Sequence, residues 1–260
     1  MTDRSVLYTA RNHIGVITIN RPENRNSMDA ETLNDFSEIL EKIKDNRALR
    51  CLIITGSGTT FCGGADLKSS VVGDGSELTP DVLMEFYRPF MAVGSLEMPV
   101  IAAMNGHAVG GGFGLALHCD IRIAGRDIKM GANFSRLGIH AGMAVTYLLP
   151  RLVGTARACE LLFTGKLITG SQALDMGLVN QATDQAQVMP RAMAMAEEIA
   201  KSAPAAVRMM KQSLYRELDW DPVRAAGLEA LHQARTFAMD DAAEGIAALL
   251  EKRDPMFTGK

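Results

Sequence analysis

Strand-like and helix-like hydrophobic patterns alternate along most of the chain and give way to an almost purely helical pattern near residue 200. "VLYTA" and "IGVITINR" are β-rich runs flanking Arg11-Asn12-His13, which predicts two strands joined by a turn. In "MDAETLNDFSEILEKIKDN" the residues Leu33, Phe36, Ile39, Leu40 and Ile43 recur at helical spacing, and Asp29 is placed to cap that helix. "RCLIITG" is a buried strand ending in Gly56, and "SGTTFCGGADL" is the loop after it. "SSVVGDGSELTP" is polar, small and turn-rich, the composition of a lid or an insertion. "DVLMEFYRPFMAVGSLE" is an amphipathic helix stopped by Pro99, and "VIAAMNG" is the next strand. "CDIRIAG" and "IKMGAN" are further short strands, followed by helical "GTARACELLFTG" and "SQALDMGLV". From about Val188 the chain reads as successive helices, through "VMPRAMAMAEEIAKSA", "PAAVRMMKQSLYREL", "DPVRAAGLEALHQARTFAM" and "DAAEGIAALLEK".

Several units in which an apolar strand feeds a glycine-rich turn mark an α/β or mixed spiral core followed by a helical tail. The length of 260 residues, with 47% hydrophobic and 22% charged, fits one large domain or a domain with an appendage. A formal net charge of -3 supplies no basic footprint, which argues against nucleic acid as a partner. The start "MTDRSVLYTARNH" lacks the apolar stretch of a secretory signal and no later run has the length of a membrane span, so the expected location is cytoplasmic, with no membrane partner. Cys51, Cys62, Cys119 and Cys159 lie far apart without the paired spacing of a zinc site or a disulfide frame, and read as reduced core residues.

Two glycine-rich segments each follow a buried strand: "FCGGADL" after "CLIITG", and "NGHAVGGGFGLAL" after "VIAAM". Each glycine inside a helix costs roughly 1 kcal/mol against alanine, so a cluster at a helix start needs a compensating role. Glycine lets a ligand touch backbone N–H groups, and a helix N-terminus adds partial positive charge at the same place. That combination attracts an anion or a developing oxyanion. A dinucleotide fingerprint fails because Leu115 stands where its third glycine would be, the Lys-Ser/Thr of a phosphate loop is absent, and no G-x-S-x-G elbow occurs. Tight strand-to-helix packing alone would explain one such loop; two after buried strands point to a binding site.

The ordered motifs "INRPENRNSM", "LIITGSGTTFCGGADLK", "MPVIAAMNGHAVGGGFGLALHCDIRIA", "LVGTARACELLFTGKLITGSQALDMGLVN" and "EGIAALLEKRDPMF" resemble the crotonase family, the enoyl-CoA hydratase/isomerase superfamily, over nearly the whole chain. The resemblance implies an α/β fold: a spiral core of ββα turns carrying an acyl-CoA site over residues 1–200, and a helical region for oligomerisation over 201–260. It implies assembly as homotrimers or as hexamers built from two trimers. It implies an acyl-CoA thioester ligand with no separate cofactor, coenzyme A entering as part of the substrate. The family's oxyanion hole maps onto the backbone N–H groups of Ala65 and Gly111. Asp66 follows the first donor and is placed to cap the helix begun by "LK". The same comparison puts Lys68, and Lys252 in "EKR", near the phosphates and adenosine end of CoA, sometimes across a subunit boundary.

The sequence departs from the family at the two glutamates that hydratases use to activate water. The first maps to Gly114 and the second to Phe134. Neither side chain moves protons, and general acid–base catalysis supplies roughly 100-fold to 10,000-fold per role, so standard two-glutamate hydration lacks both its carboxylates here. The aspartate of the family's dehalogenases and dienoyl isomerases maps near Gly142. His140 in "LGIHAGM" is the candidate replacement proton carrier, with a solvated structural histidine as its alternative. His107 reads as packing, His118 as a satisfied core residue, and Ser135 as a hydroxyl without a base. Glu85, Tyr87 and Arg88 lie on the helix whose inner face borders the acyl pocket in this family, with Glu85 as the candidate relocated carboxylate. Three readings follow: a family enzyme that stabilises a thioester enolate, a non-catalytic acyl-CoA-binding protein, or a hydrolase or decarboxylase using His140.

Overall fold

A computed structural model describes residues 4–66 and 79–260. Lys68, the turn-rich segment 69–78 and the helix start that Asp66 is expected to cap lie outside the described residues. Strand β1 (Val6–Arg11) turns directly into β2 (Ile14–Ile19), its antiparallel neighbour. Asn12 and His13 both take left-handed φ, +50° and +66°, the geometry that lets a two-residue turn match the twist of the strands it joins.

Helix α1 (Ala30–Ile43) carries the chain across to β3 (Cys51–Gly56), parallel to β2. As its sequence spacing predicts, α1 buries Phe36, Ile39, Leu40 and Ile43, with Leu33 packed at the edge of the same core. Asp29 caps it, accepting 2.9 Å from the Thr32 amide and 2.7 Å from its hydroxyl, while its other oxygen pairs with Arg21. Asp29→Ala is expected to cost about 1 kcal/mol, read as a lower urea midpoint at unchanged slope; an unchanged midpoint would remove the cap from the stability of α1.

Strand β4 (Thr60–Cys62) follows, then α2 (Pro80–Ser95), β5 (Val100–Met104), β6 (His107–Val109), α3 (Gly111–His118), β7 (Ile121–Gly125) and β8 (Lys129–Gly131). After these come α4 (Val145–Val153), α5 (Thr155–Thr164), β9 (Ile168–Thr169), α6 (Gly170–Asp175) and β10 (Gln181–Thr183). The chain finishes with α7 (Val188–Ala200), α8 (Pro204–Arg216), α9 (Pro222–Phe237) and α10 (Asp240–Glu251).

Two sheets share these strands, in the orders β1-β2-β3-β5-β7-β10 and β4-β6-β8-β9. Successive turns of chain place one strand in each: β3 then β4, β5 then β6, β7 then β8. This is the spiral of ββα turns expected from the sequence, a mixed α/β fold. The central strands read as unbroken apolar runs because both faces are covered. Leu52, Ile54, Val100 and Ala102 face the main core, and Cys51, Ile53, Ile101 and Ala103 face a second core closed by Val188, Ala192 and Ala196 of α7.

Two expectations change. The stretch Thr60–Cys62, read as loop, is a strand, because three residues are too few to show a period. Pro99 does not stop α2: the helix passes through Pro89, ends at Ser95, and Leu96 is already extended. Helix α4 also goes unpredicted by the periodic pattern.

Beyond α7, polar side chains attach α8 to the core. Lys211 Nζ donates to Asp120 Oδ2 at 2.7 Å and to the Met98 carbonyl at 3.0 Å, Tyr215 Oη donates to Asp120 Oδ1 at 2.7 Å, and Arg208 donates to the Leu49 carbonyl at 2.7 Å. Helices α9 and α10 leave Phe237, Leu249 and Leu250 exposed.

Candidate active site

The site forms where the two glycine loops meet. Met28 pairs with Ala65 in a parallel bridge: the Met28 amide donates to the Gly64 carbonyl at 2.8 Å and the Asp66 amide donates to the Met28 carbonyl at 3.3 Å. That pattern uses the groups flanking Ala65 and leaves its own N–H on the opposite side, towards the second loop. There, Gly110 adopts φ +55° and donates to the Gly131 carbonyl at 3.0 Å, and α3 begins at Gly111. The Gly111 N–H lies in the first turn of α3, where amides have no intrahelical acceptor and the helix dipole is positive.

Contact distances show how closely the loops approach. A Cβ on Gly64 would lie 2.8 Å from the Gly111 nitrogen, and one on Gly111 would lie 3.4 Å from the Ala65 nitrogen. A Cβ on Gly112 would lie 1.9 Å from the Cys62 carbonyl oxygen. The glycines are therefore required by backbone-to-backbone contact, and they bring the Ala65 and Gly111 amides together. Burial pushes the Cys62 thiol up to about 12, so this neighbour of the loop stays protonated at neutral pH.

Both donors open into a cavity of about 730 Å³. Val82, Leu83, Met84, Phe86 and Met91 of α2 form one wall, and Phe134, Leu137 and Ile139 form another. The polar side chains on the lining are Tyr87, Asn133 and His140; among the described residues no aspartate or glutamate lines it. Nor do the described residues contain a cluster of three His, Cys, Asp or Glu able to hold a metal ion.

Phe134 faces the cavity beside the glycine turn, its Cζ 4.0 Å from where a Cβ on Gly110 would sit. At Gly114 a Cβ would meet Met143 Cε at 2.9 Å, so Met143 fills the volume that a side chain at 114 would need. Met143 is buried at φ +53°, and its carbonyl accepts from His118 Nε2 at 3.0 Å. Burial lowers the His118 pKa, the carbonyl contact opposing it in part. The unfolded chain therefore takes up a proton near pH 6.5 that the folded chain resists, and this contribution to stability is lost as pH falls through 6.5 towards the folded value. His118→Gln is expected to flatten the fall in urea midpoint between pH 7.5 and 5.5; an unaltered slope would exclude His118 as its source.

The remaining sequence candidates separate clearly. His140 lies exposed on the cavity rim, with Nδ1 2.6 Å from the Ala141 carbonyl. Glu85 is exposed and does not line the cavity, so it is not the relocated carboxylate; Arg88 is likewise exposed and off the lining, whereas Tyr87 between them faces in. His107 accepts from the Lys129 amide at 2.9 Å, a structural contact, and Ser135 donates to the Leu162 carbonyl at 2.8 Å. Asp66 continues the Ala65 loop. Lys252 follows α10 in a left-handed conformation, exposed and not on the lining of this chain's own cavity. Asn133 escaped the sequence reading because an asparagine beside Phe134 carries no motif; only the turn after β8 brings it to the lining.

A spiral fold with paired amides above an apolar cavity defines a class of protein, and comparison with known proteins gives that class its name. The model of the enoyl-CoA hydratase/isomerase family matches residues 9–260, and the chain belongs to that family. Crotonyl-CoA hydratase of Syntrophomonas wolfei is 35% identical over 265 residues, covering 100% of both chains. Enoyl-CoA hydratase domain-containing protein 2, mitochondrial, of Homo sapiens is 37% identical over 250 residues, covering 94% of this chain and 85% of that one. The crystal structure of enoyl-CoA hydratase from Bacillus anthracis superposes with a TM-score of 0.94 at 34% identity, covering 98% of this chain and 100% of that one. No helix among the described residues is long and apolar enough to cross a membrane.

Proposed function

We propose that this chain binds an acyl-CoA thioester with its carbonyl oxygen between the Ala65 and Gly111 amides and stabilises the enolate that forms when a base from solvent, water or buffer, takes an α-proton. The observation that supports this reading is the close approach of the two glycine loops, which puts Ala65 and Gly111 together on the lining of a largely apolar cavity. A fixed pair of donors is worth most where charge develops, roughly 3 kcal/mol for each. Calorimetric titration with crotonyl-CoA and butyryl-CoA, followed by α-proton exchange of butyryl-CoA in D2O, tests it. Binding with exchange is expected, and failure of both thioesters to bind overturns the reading.

The cavity wall favours one alternative in particular. With Met143 in the volume beside Gly114, Phe134 at the other glutamate position and no described carboxylate on the lining, the chain would bind acyl-CoA without turning it over. Binding without exchange or hydration selects that alternative. His140 is the proposed proton carrier for hydrolysis or decarboxylation, on its position at the rim; an unchanged rate in His140→Ala removes it.

Coenzyme A is proposed to enter only as part of the substrate, with Lys68 near its phosphates, Lys252 near its adenosine end and Asp66 beside the same site. Exposure of Lys252 off the lining of its own cavity favours contact across a subunit boundary. Residues 201–260 are proposed as the oligomerisation region of a homotrimer or hexamer, because Phe237, Leu249 and Leu250 leave an apolar face uncovered in the single chain.

A further inference from the structure

Asn133, His140 and Tyr87 are the polar side chains on the lining of the cavity, and Tyr87 presents a phenol whose oxygen lies against the backbone of Gly142: a Cβ added there would be 2.4 Å from Tyr87 Oη and 2.7 Å from Cζ. Position 142 must therefore be glycine for the phenol to occupy this place. The ring packs edge-on against Phe86, with centroids 6.3 Å apart and planes at 77°, and joins the partly buried margin of the core. Burial raises the phenol pKa above its usual 10, so the group is a neutral hydrogen-bond donor across the working pH range. Among the described residues Oη has no hydrogen-bond partner, which leaves both its donor and its acceptor capacity for whatever fills the cavity. Gly142 adjoins Met143, and Met143 Cε lies 3.4 Å from where a Cβ on Gly111 would sit. The phenol thus shares the cavity lining with Ala65 and Gly111, and the residue next to its Gly142 contact, Met143, reaches Gly111.

We propose that Tyr87 is a specificity-determining residue whose Oη hydrogen-bonds an oxygen borne by the acyl chain near the thioester, so that the cavity selects hydroxy- or oxo-acyl thioesters over plain alkyl ones. This rests on the acyl-CoA reading of the same site. A neutral phenol is suited to a neutral hydroxyl or ketone, whereas an alkyl chain offers the half-buried phenol no partner, and that difference is what discriminates. Phe134 and the methionines of the walls offer no competing partner for such an oxygen.

The test compares calorimetric affinities for 3-hydroxybutyryl-CoA and butyryl-CoA in the parent chain, Tyr87→Phe and Gly142→Ala. The parent is expected to prefer the hydroxyacyl thioester by about 5- to 10-fold. Tyr87→Phe keeps the ring packing and is expected to bring the ratio close to one, with butyryl-CoA affinity changed less than about 2-fold. Gly142→Ala, which displaces the phenol without removing it, is expected to reduce the ratio in the same direction. No preference in the parent, or a ratio unchanged in Tyr87→Phe, overturns this inference while leaving acyl-CoA binding intact. Failure of the parent to bind either thioester overturns the acyl-CoA reading itself.

Discussion

Crotonyl-CoA hydration is expected to rise at least about 100-fold when both family carboxylates are installed and space is made for them, in the triple variant Gly114→Glu/Phe134→Glu/Met143→Ala. On the proposed reading Ala65 and Gly111 supply the donors, and the absent groups are those that deprotonate water and deliver the proton to the α-carbon. Each such role supplies roughly 100-fold to 10,000-fold, and two carboxylates restore both. Met143→Ala is included to make room for the glutamate, because the first atom of a side chain at 114 would lie 2.9 Å from Met143 Cε and 3.4 Å from its Cβ and Sδ. Gly114→Glu alone is therefore expected to lower the melting temperature and gain little activity, overpacking a buried position costing about 1–3 kcal/mol. Loss of the enoyl-thioester absorbance measures the rate. A triple variant that folds, binds crotonyl-CoA and hydrates it no faster than the parent would show that the absent carboxylates are not what limits the reaction.

Gly64→Ala should have a comparably large effect in the opposite direction, lowering α-proton exchange by about 100- to 1,000-fold while acyl-CoA still binds in the cavity. Gly64 sits at φ +89°, and its added methyl would lie 2.8 Å from the Gly111 nitrogen and 2.9 Å from the Val109 carbonyl. Both neighbours are backbone, so relief comes only by moving the two loops apart, which separates the two donors. Gly138→Ala is the matched control: its φ is +72°, and nothing lies within 4 Å of the added methyl. It carries the conformational cost of a left-handed residue, roughly 1 kcal/mol, without disturbing the donors. Equal exchange rates in the two variants would refute the placement of the oxyanion hole.

Much of this site is legible along the chain, but in pieces. Asp29 and the apolar spacing of Leu33 to Ile43 encode α1, since capping and helical burial are local properties. The unbroken apolar runs of β3 and β5 announce strands covered on both faces. Glycines at 63, 64 and 110–112 announce close backbone approach, and the resemblance turns Gly114 and Phe134 into missing carboxylates. Periodicity cannot show the three-residue strands β4 and β6, which pair only because the sheet beside them is already built. Glu85 and Tyr87 looked alike as polar residues on one helix, and a rotation of two residues decides that Tyr87 faces the cavity and Glu85 faces out.

The sequence by itself determined the order of most strands and helices, the glycine loops and the family, and its resemblance places Gly114 and Phe134 where carboxylates are expected, because each is written in residue type and spacing. Only the tertiary structure decided that Met143 occupies the volume beside Gly114, that the loops carrying Ala65 and Gly111 meet backbone to backbone, and that the Tyr87 phenol lies over Gly142. Those are contacts between segments distant along the chain. Their distances depend on how whole elements pack, a property that no local pattern of apolar and polar residues records.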